Sequence, residues 1–105
     1  MFVTTGNEIE GHKIAGYLGV VRGVVVRSPD MGQSFLGGFQ GMLGGNVEAL
    51  AQVCDEARQH AYDRMLAHAQ HLGADAIIGM RYDTNVFATS MTEVLAYGTA
   101  VKLVR

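Results

Sequence analysis

Tryptophan is missing from this chain, and proline and cysteine occur once each, as Pro29 and Cys54. A lone cysteine cannot close an internal disulfide, so a reducing compartment is the default. Charge is scarce too: 17% of the 105 residues are Asp, Glu, Lys or Arg, against 49% hydrophobic. The net charge is −2 and the basic residues are scattered, unlike the footprint of a nucleic-acid or anionic-membrane binder. Long apolar runs are absent, so no helical segment is expected to span a bilayer. The stretch MFVTTGNEIEGHKIAG has no basic segment leading into an apolar run and a small-residue cleavage site. A cytoplasmic protein is expected, with one domain over residues 1–105 and no membrane or nucleic-acid partner.

What is abundant is aliphatic pattern. Phe2, Val3, Thr4 and Thr5 suit a strand, and Gly6-Asn7 punctuates it. KIAGYLGVVRGVVVR, residues 13–27, predicts a long extended segment. Gly16, Gly19 and Gly23 inside it mark bends, bulges or close backbone approach. A helix is expected over residues 47–72, with Asn46 as N-cap and Gly73 as C-terminal cap. Its apolar stripe is Val47, Leu50, Cys54, Ala57, Ala61, Met65, His68 and Leu72, at steps of three or four. Two strands follow. The first, residues 76–83, places Ala76, Ile78, Met80 and Tyr82 on one face and Ile77, Gly79, Arg81 and Asp83 on the other. Residues 85–90 are expected to form a loop. The last strand, residues 91–104, sets Leu95, Tyr97, Val101 and Leu103 against Val94, Ala96, Gly98, Ala100 and Val104.

The stretch MGQSFLGGFQGMLGG, residues 31–45, holds six of the fourteen glycines. It lacks the Lys and Ser/Thr of a P-loop, and GxGxxG is absent. Phe35, Leu36, Phe39, Met42 and Leu43 fall on one helical face, with Ser34 as N-cap and Gly44 closing it. A short glycine-rich helix used for packing is expected, with a mobile flap over a ligand as the second reading. Interior glycines cost about 0.5–1 kcal/mol each, so this helix needs support from outside itself.

One helix covers one face of a small sheet, yet the last strand is apolar on both. Ala51, Tyr62, Leu66 and Ala69 form a further apolar flank on the helix. Side chains such as Tyr62 and Leu66 gain roughly 1.5–3 kcal/mol each on burial, so association of identical subunits is expected.

Reactive constellations are sparse. His68 and His71 could share a metal, but two ligands do not make a zinc site. Cys54 is the one soft ligand, and fourteen residues of helix put it about 21 Å from His68. A small buried Cys54 and a partly buried, hydrogen-bonded His68 are the expected states, and no catalytic, cofactor or metal residue is assigned. His12 and His60 have no partner for acid–base work. Arg22 and Arg81 interrupt apolar strands. They are expected to pair with Asp83 or Glu93, within one chain or across subunits, with an anion-binding arginine in an intersubunit cleft, around Arg81, as the alternative.

YLGVVRGVVV, SFLGGFQGMLGG, EARQHAYDRM, LGADAIIGMRYDT and MTEVLAYGTAVKL together resemble the YbjQ-like family of small bacterial proteins, in order along essentially the whole chain. The resemblance implies an α+β subunit with an antiparallel sheet on one long helix, dodecin-subunit-like, assembling as a ring-shaped homopentamer. It also brings the label "putative heavy-metal-binding", for a family whose function is otherwise uncharacterised. No CxxC or ligand cluster in this sequence supports that label. A binding or scaffolding homo-oligomer is the expected function. A soft-metal or metalloid binder using Cys54 with ligands from neighbouring subunits is the alternative.

Overall fold

Valine-rich alternation and a four-residue alanine rhythm lay down the two main layers. The computed structural model describes residues 1–27, 47–88 and 91–105, apart from the side chains of residues 47–50. Strand β1 is Phe2–Val3, β2 is Ile14–Arg27, helix α1 is Val47–His71, β3 is Ala76–Ala88 and β4 is Met91–Leu103. The expected glycine-rich helix, with Ser34 and Gly44, and the Asn46 cap lie outside the described residues.

The four strands form one sheet in the order β1–β3–β4–β2. β4 pairs antiparallel with both β2 and β3, whereas β1 runs parallel to β3. The sheet is therefore mixed, which corrects the all-antiparallel expectation. Parallel neighbours need a long crossover, and β2 and α1 supply it between β1 and β3.

The expected loop at 85–90 is also corrected. Asn85, Val86 and Ala88 pair with Glu93, Thr92 and Met91, so β3 continues to Ala88. Thr84, Val86 and Phe87 suit a strand, and a ladder already running on β4 outweighs the turn tendency of Asn85. Thr89 and Ser90 lie outside the described residues.

Three of the glycine expectations in β2 hold. Register shifts lie between Ile14 and Gly16 and between Tyr17 and Gly19, with Gly19 at φ 110°. Gly23 is where helix and sheet backbones meet. A Cβ placed there would strike the Ala61 carbonyl oxygen, the Met65 amide nitrogen and Arg64 Cβ.

A bulge in β3 overturns the expected faces of that strand. Ile78 pairs with Thr99 and Arg81 with Tyr97, so β3 spends one more residue than β4 there, with Gly79 at φ 62°. Beyond it the alternation slips by one. Ile77 and Met80 join the core beneath the helix, while Ala76 and Ile78 share the opposite face with Val101 and Leu103. The alternation expected for β4 holds, with Val94, Ala96 and Ala100 on the helix side.

Helix α1 ends as expected at Gly73, φ 77°. The Gly73 amide donates to the Gln70 carbonyl and the Ala74 amide to the Ala69 carbonyl, both at 3.0 Å. That pattern satisfies the last carbonyls of the helix. His68 and His71 sit in the last turn, where the helix dipole favours positive charge.

The buried stripe differs from the one expected. Ala57, Ala61, Met65 and Ala69 are buried, with Tyr62 and Leu66 packed against them. Cys54 and His68 are exposed, and Leu72 is 40% exposed. The core line thus runs through Ala69, which the sequence pattern assigned to the flank. Contact at Gly23 requires small side chains on the facing helix surface, and this turns the alanine line inward. Because α1 lies mainly over β2 and less over β4, the rest of the sheet gains little cover from it.

Candidate functional site

Cys54 is exposed on α1, which corrects its expected burial as a small hydrophobe. His68 is exposed as well, yet hydrogen-bonded, as its Nδ1 accepts the Arg22 amide at 3.2 Å. One turn earlier, Arg64 Nη1 donates to the Val24 carbonyl at 2.6 Å. These two helix side chains thus occupy backbone groups of β2, a strand at the edge of the sheet. Capping such groups blunts edge-to-edge pairing. His60 accepts from Arg27 Nη2 at 2.8 Å, and the His12 ring lies 5.0 Å from that of Phe2. Among the described residues, no group of three or more His, Cys, Asp or Glu is placed to hold a metal ion.

The expected pairing of Arg22 or Arg81 with Asp83 or Glu93 does not occur within the chain among the described residues. Arg81 Nη1 instead donates to the carbonyls of Thr5 and Met80, each at 2.8 Å. Asp83 Oδ1 accepts the amide of Thr84 at 2.9 Å. Arg81 thereby ties residue 5 to β3, beside the backbone bonds from Thr4 to Ile77 and from Met80 to Thr4.

The charge cluster that does form was missed by sequence reasoning. Asp75, in the connection from α1 to β3, accepts the Leu103 amide at 2.9 Å through Oδ2. Its Oδ1 lies 3.1 Å from Arg105 and 3.8 Å from Lys102. The residues that meet are about thirty positions apart, so no local spacing announces them. The Asp75 carboxyl is held below its ordinary 3.8, chiefly by the Leu103 hydrogen bond; burial opposes this, and the nearby charges of Lys102 and Arg105 lower it further. Beside it opens a shallow cleft of about 440 Å³, lined by Phe2, His12, Leu103 and Val104 as well as Asp75 and Arg105. Asp75 is ionised at neutral pH and already engaged, which suits a structural tie rather than acid–base work.

Asp75 also sets an acid limb. A carboxyl whose folded-state pKa is depressed stabilises the fold above its unfolded-state pKa, and that contribution is lost as pH falls through the folded value. Asp75→Asn is therefore expected to be less stable than the parent at pH 7 and to converge with it in strong acid. Urea midpoints measured from pH 7 downward check this; parallel curves would remove Asp75 from the acid limb.

Tyr82 on β3 is raised above its ordinary 10.0, chiefly by burial. Tyr62 raises it further, Arg58 opposes and Asp63 adds to the rise. The neighbours place its ring toward the helix side.

Several large apolar side chains are uncovered. Tyr17 is 70% exposed, Val20 67%, Val86 71% and Phe87 53%, all of them on strands. On the sheet face away from α1, Ile9 and Ile14 cover Ala76, Ile78, Val101 and Leu103. Farther along that face, Leu95, Tyr97, Val24 and Val26 remain half-buried. The expectation of surplus apolar surface holds, but it sits on the sheet more than on the helix. No helix among the described residues is long and apolar enough to cross a membrane.

Among the described residues, fold and site together define a small α+β protein with one helix, a mixed sheet and an incompletely covered sheet face. A family model, YbjQ, described as "Putative heavy-metal-binding", matches residues 1–104. A UPF0145 protein of Legionella pneumophila (strain Corby) is 52% identical over 101 residues, covering 96% of each chain. A UPF0145 protein of Chromobacterium violaceum is also 52% identical, over 96% of this chain and 86% of that one. The crystal structure of a protein of unknown function from Pediococcus pentosaceus, assigned to the DUF74 family, matches with a TM-score of 0.57 and 25% identity. That match covers 99% of this chain and 98% of the other. The chain belongs to the YbjQ family of bacterial proteins.

Proposed function

We propose that this protein is a non-enzymatic, self-associating binding or scaffolding protein of the cytoplasm, one domain per subunit and five subunits in a ring. The observation that carries the reading is the exposed apolar surface of the strands, including Tyr17, Val86 and Phe87. Patches of this kind mark interaction sites, and identical subunits close most economically into a symmetric assembly. The five-fold count follows from the family resemblance. Native mass spectrometry of the full chain tests it. A particle of five times the 11.3 kDa subunit, or a whole multiple of that mass, is expected, and a mass equal to one chain at low micromolar concentration overturns the reading.

A second reading, a soft-metal or metalloid binder, draws on the family description and on the exposure of Cys54. Thiolate sulfur favours soft metals, and the remaining ligands would come from symmetry-related copies. Titration with Zn²⁺, Cu⁺ or selenite beside a Cys54→Ser variant separates the two. Tight stoichiometric binding that the variant loses establishes the second reading, and absence of tight binding by the parent removes it.

A further inference from the structure

The sheet face left bare by α1 carries both charge signs in neighbouring rows. Register across β3, β4 and β2 aligns Arg81, Tyr97 and Arg22 in one row. The next row outward is Asp83, Leu95 and Val24. Val20 precedes the first row on β2 and Val26 follows the second. Arg22, Arg81 and Asp83 are exposed, and Leu95 and Tyr97 are half-buried between them.

We propose that this face docks face to face on a second copy of the chain, turned end for end about a two-fold axis that crosses the strands between these two rows. The operation lays Arg81 on Asp83 of the second copy, Tyr97 on its Leu95, Arg22 on its Val24 and Val20 on its Val26. Each of these contacts occurs twice by symmetry. Opposite charges meet at Arg81 and Asp83, and apolar side chains at Tyr97 with Leu95 and at Val20 with Val26. Arg22, on the edge strand, lays its aliphatic stem over Val24 and keeps its charged end at the rim. The other face-to-face two-fold, parallel to the strands, stacks Arg22 on Arg81 and is disfavoured by like charge. Hydrogen bonds to the Thr5 and Met80 carbonyls anchor Arg81 while leaving its positive charge intact. A face of single sign would call for a different protein; this one supplies its own complement. Stacked sheets sit about 10 Å apart, close enough for the side chains of the two faces to interdigitate.

The contact rests on the self-association reading and adds to it. Ring contacts are head-to-tail, whereas this one is self-complementary and doubles whatever assembly the ring makes. Sedimentation of the full chain tests it. Asp83→Arg sets arginine against Arg81 and is expected to halve the particle mass, while the Arg81→Asp, Asp83→Arg swap restores it. Independently, Leu95→Cys and Tyr97→Cys chains, each also carrying Cys54→Ser, are co-expressed and oxidised. A covalent dimer containing one of each is expected, and neither chain alone should form one. This arm decides the matter if a charge variant fails to fold. A monomeric parent overturns both readings. An oligomeric parent whose mass ignores Asp83→Arg and whose cysteine pair stays reduced overturns this contact alone.

Discussion

Gly23→Ala is expected to lower stability by about 3 kcal/mol, at the upper end of ordinary overpacking. The reason is what the added methyl meets. Its neighbours are the Ala61 carbonyl oxygen and the Met65 amide nitrogen, backbone atoms inside a hydrogen-bonded helix. A long side chain could swing aside, but a helix backbone cannot move locally without breaking its ladder. Relief comes only by lifting α1 from β2, which opens the packing around Val21, Val25 and Met65. Gly16→Ala supplies the control, since a Cβ there meets nothing within 4 Å and the position has no left-handed φ. It should be neutral or slightly stabilising, through reduced freedom of the unfolded chain. Urea midpoints for the two variants decide this. Equal midpoints would show that helix and strand do not touch at Gly23.

Met65→Ala should cost about 2–5 kcal/mol, because the side chain is among the largest that are fully buried. Cys54→Ala, on the same helix, should stay within about 0.5 kcal/mol, as expected for an exposed site. The comparison separates the two candidate stripes of α1. A core through Cys54 and Leu72 predicts comparable losses at Cys54 and Met65, whereas the core through Ala57, Ala61, Met65 and Ala69 predicts a loss only at Met65. Thermal or urea denaturation of both variants is the measurement. A large loss at Cys54 would return that side chain to the interior.

The fold was legible in proportion to how local its signals are. Helix α1 and its Gly73 cap follow from periodicity and from the tolerance of glycine for positive φ, both carried by neighbouring residues. The valine run of β2 and the alternation of β4 follow in the same way. The phase of β3 beyond Ile78 was not legible, because one extra residue at Gly79 reverses every later side chain and no composition signal distinguishes a bulge from a plain glycine. Nor was the extension through Asn85, Val86 and Phe87, which takes its order from pairing with β4. The parallel placement of β1 on β3 joins residues more than seventy positions apart.

The candidate site shows the same division. Arg81 was singled out correctly as a charge inside an apolar strand, yet its partners are backbone carbonyls of Thr5 and Met80. Asp75 attracted no notice in the sequence, although it gathers Leu103, Lys102 and Arg105 around one carboxylate. Side-chain partners of this kind depend on which strand lies beside which, and two-residue alternation is silent about neighbours.

Taken alone, the order of residues determined a helix-and-strand chain with more apolar surface than one helix can cover, and little chemistry to use it for. Only the tertiary structure decided which surface stays uncovered. The backbone of α1 seats on Gly23, so the helix shields β2 and part of β4, and the far face keeps Arg22, Tyr97, Arg81 and Asp83 in adjacent rows. The physical reason is range: propensity and periodicity act over a few residues, whereas close backbone contact and strand register are settled between segments that meet only in the folded chain.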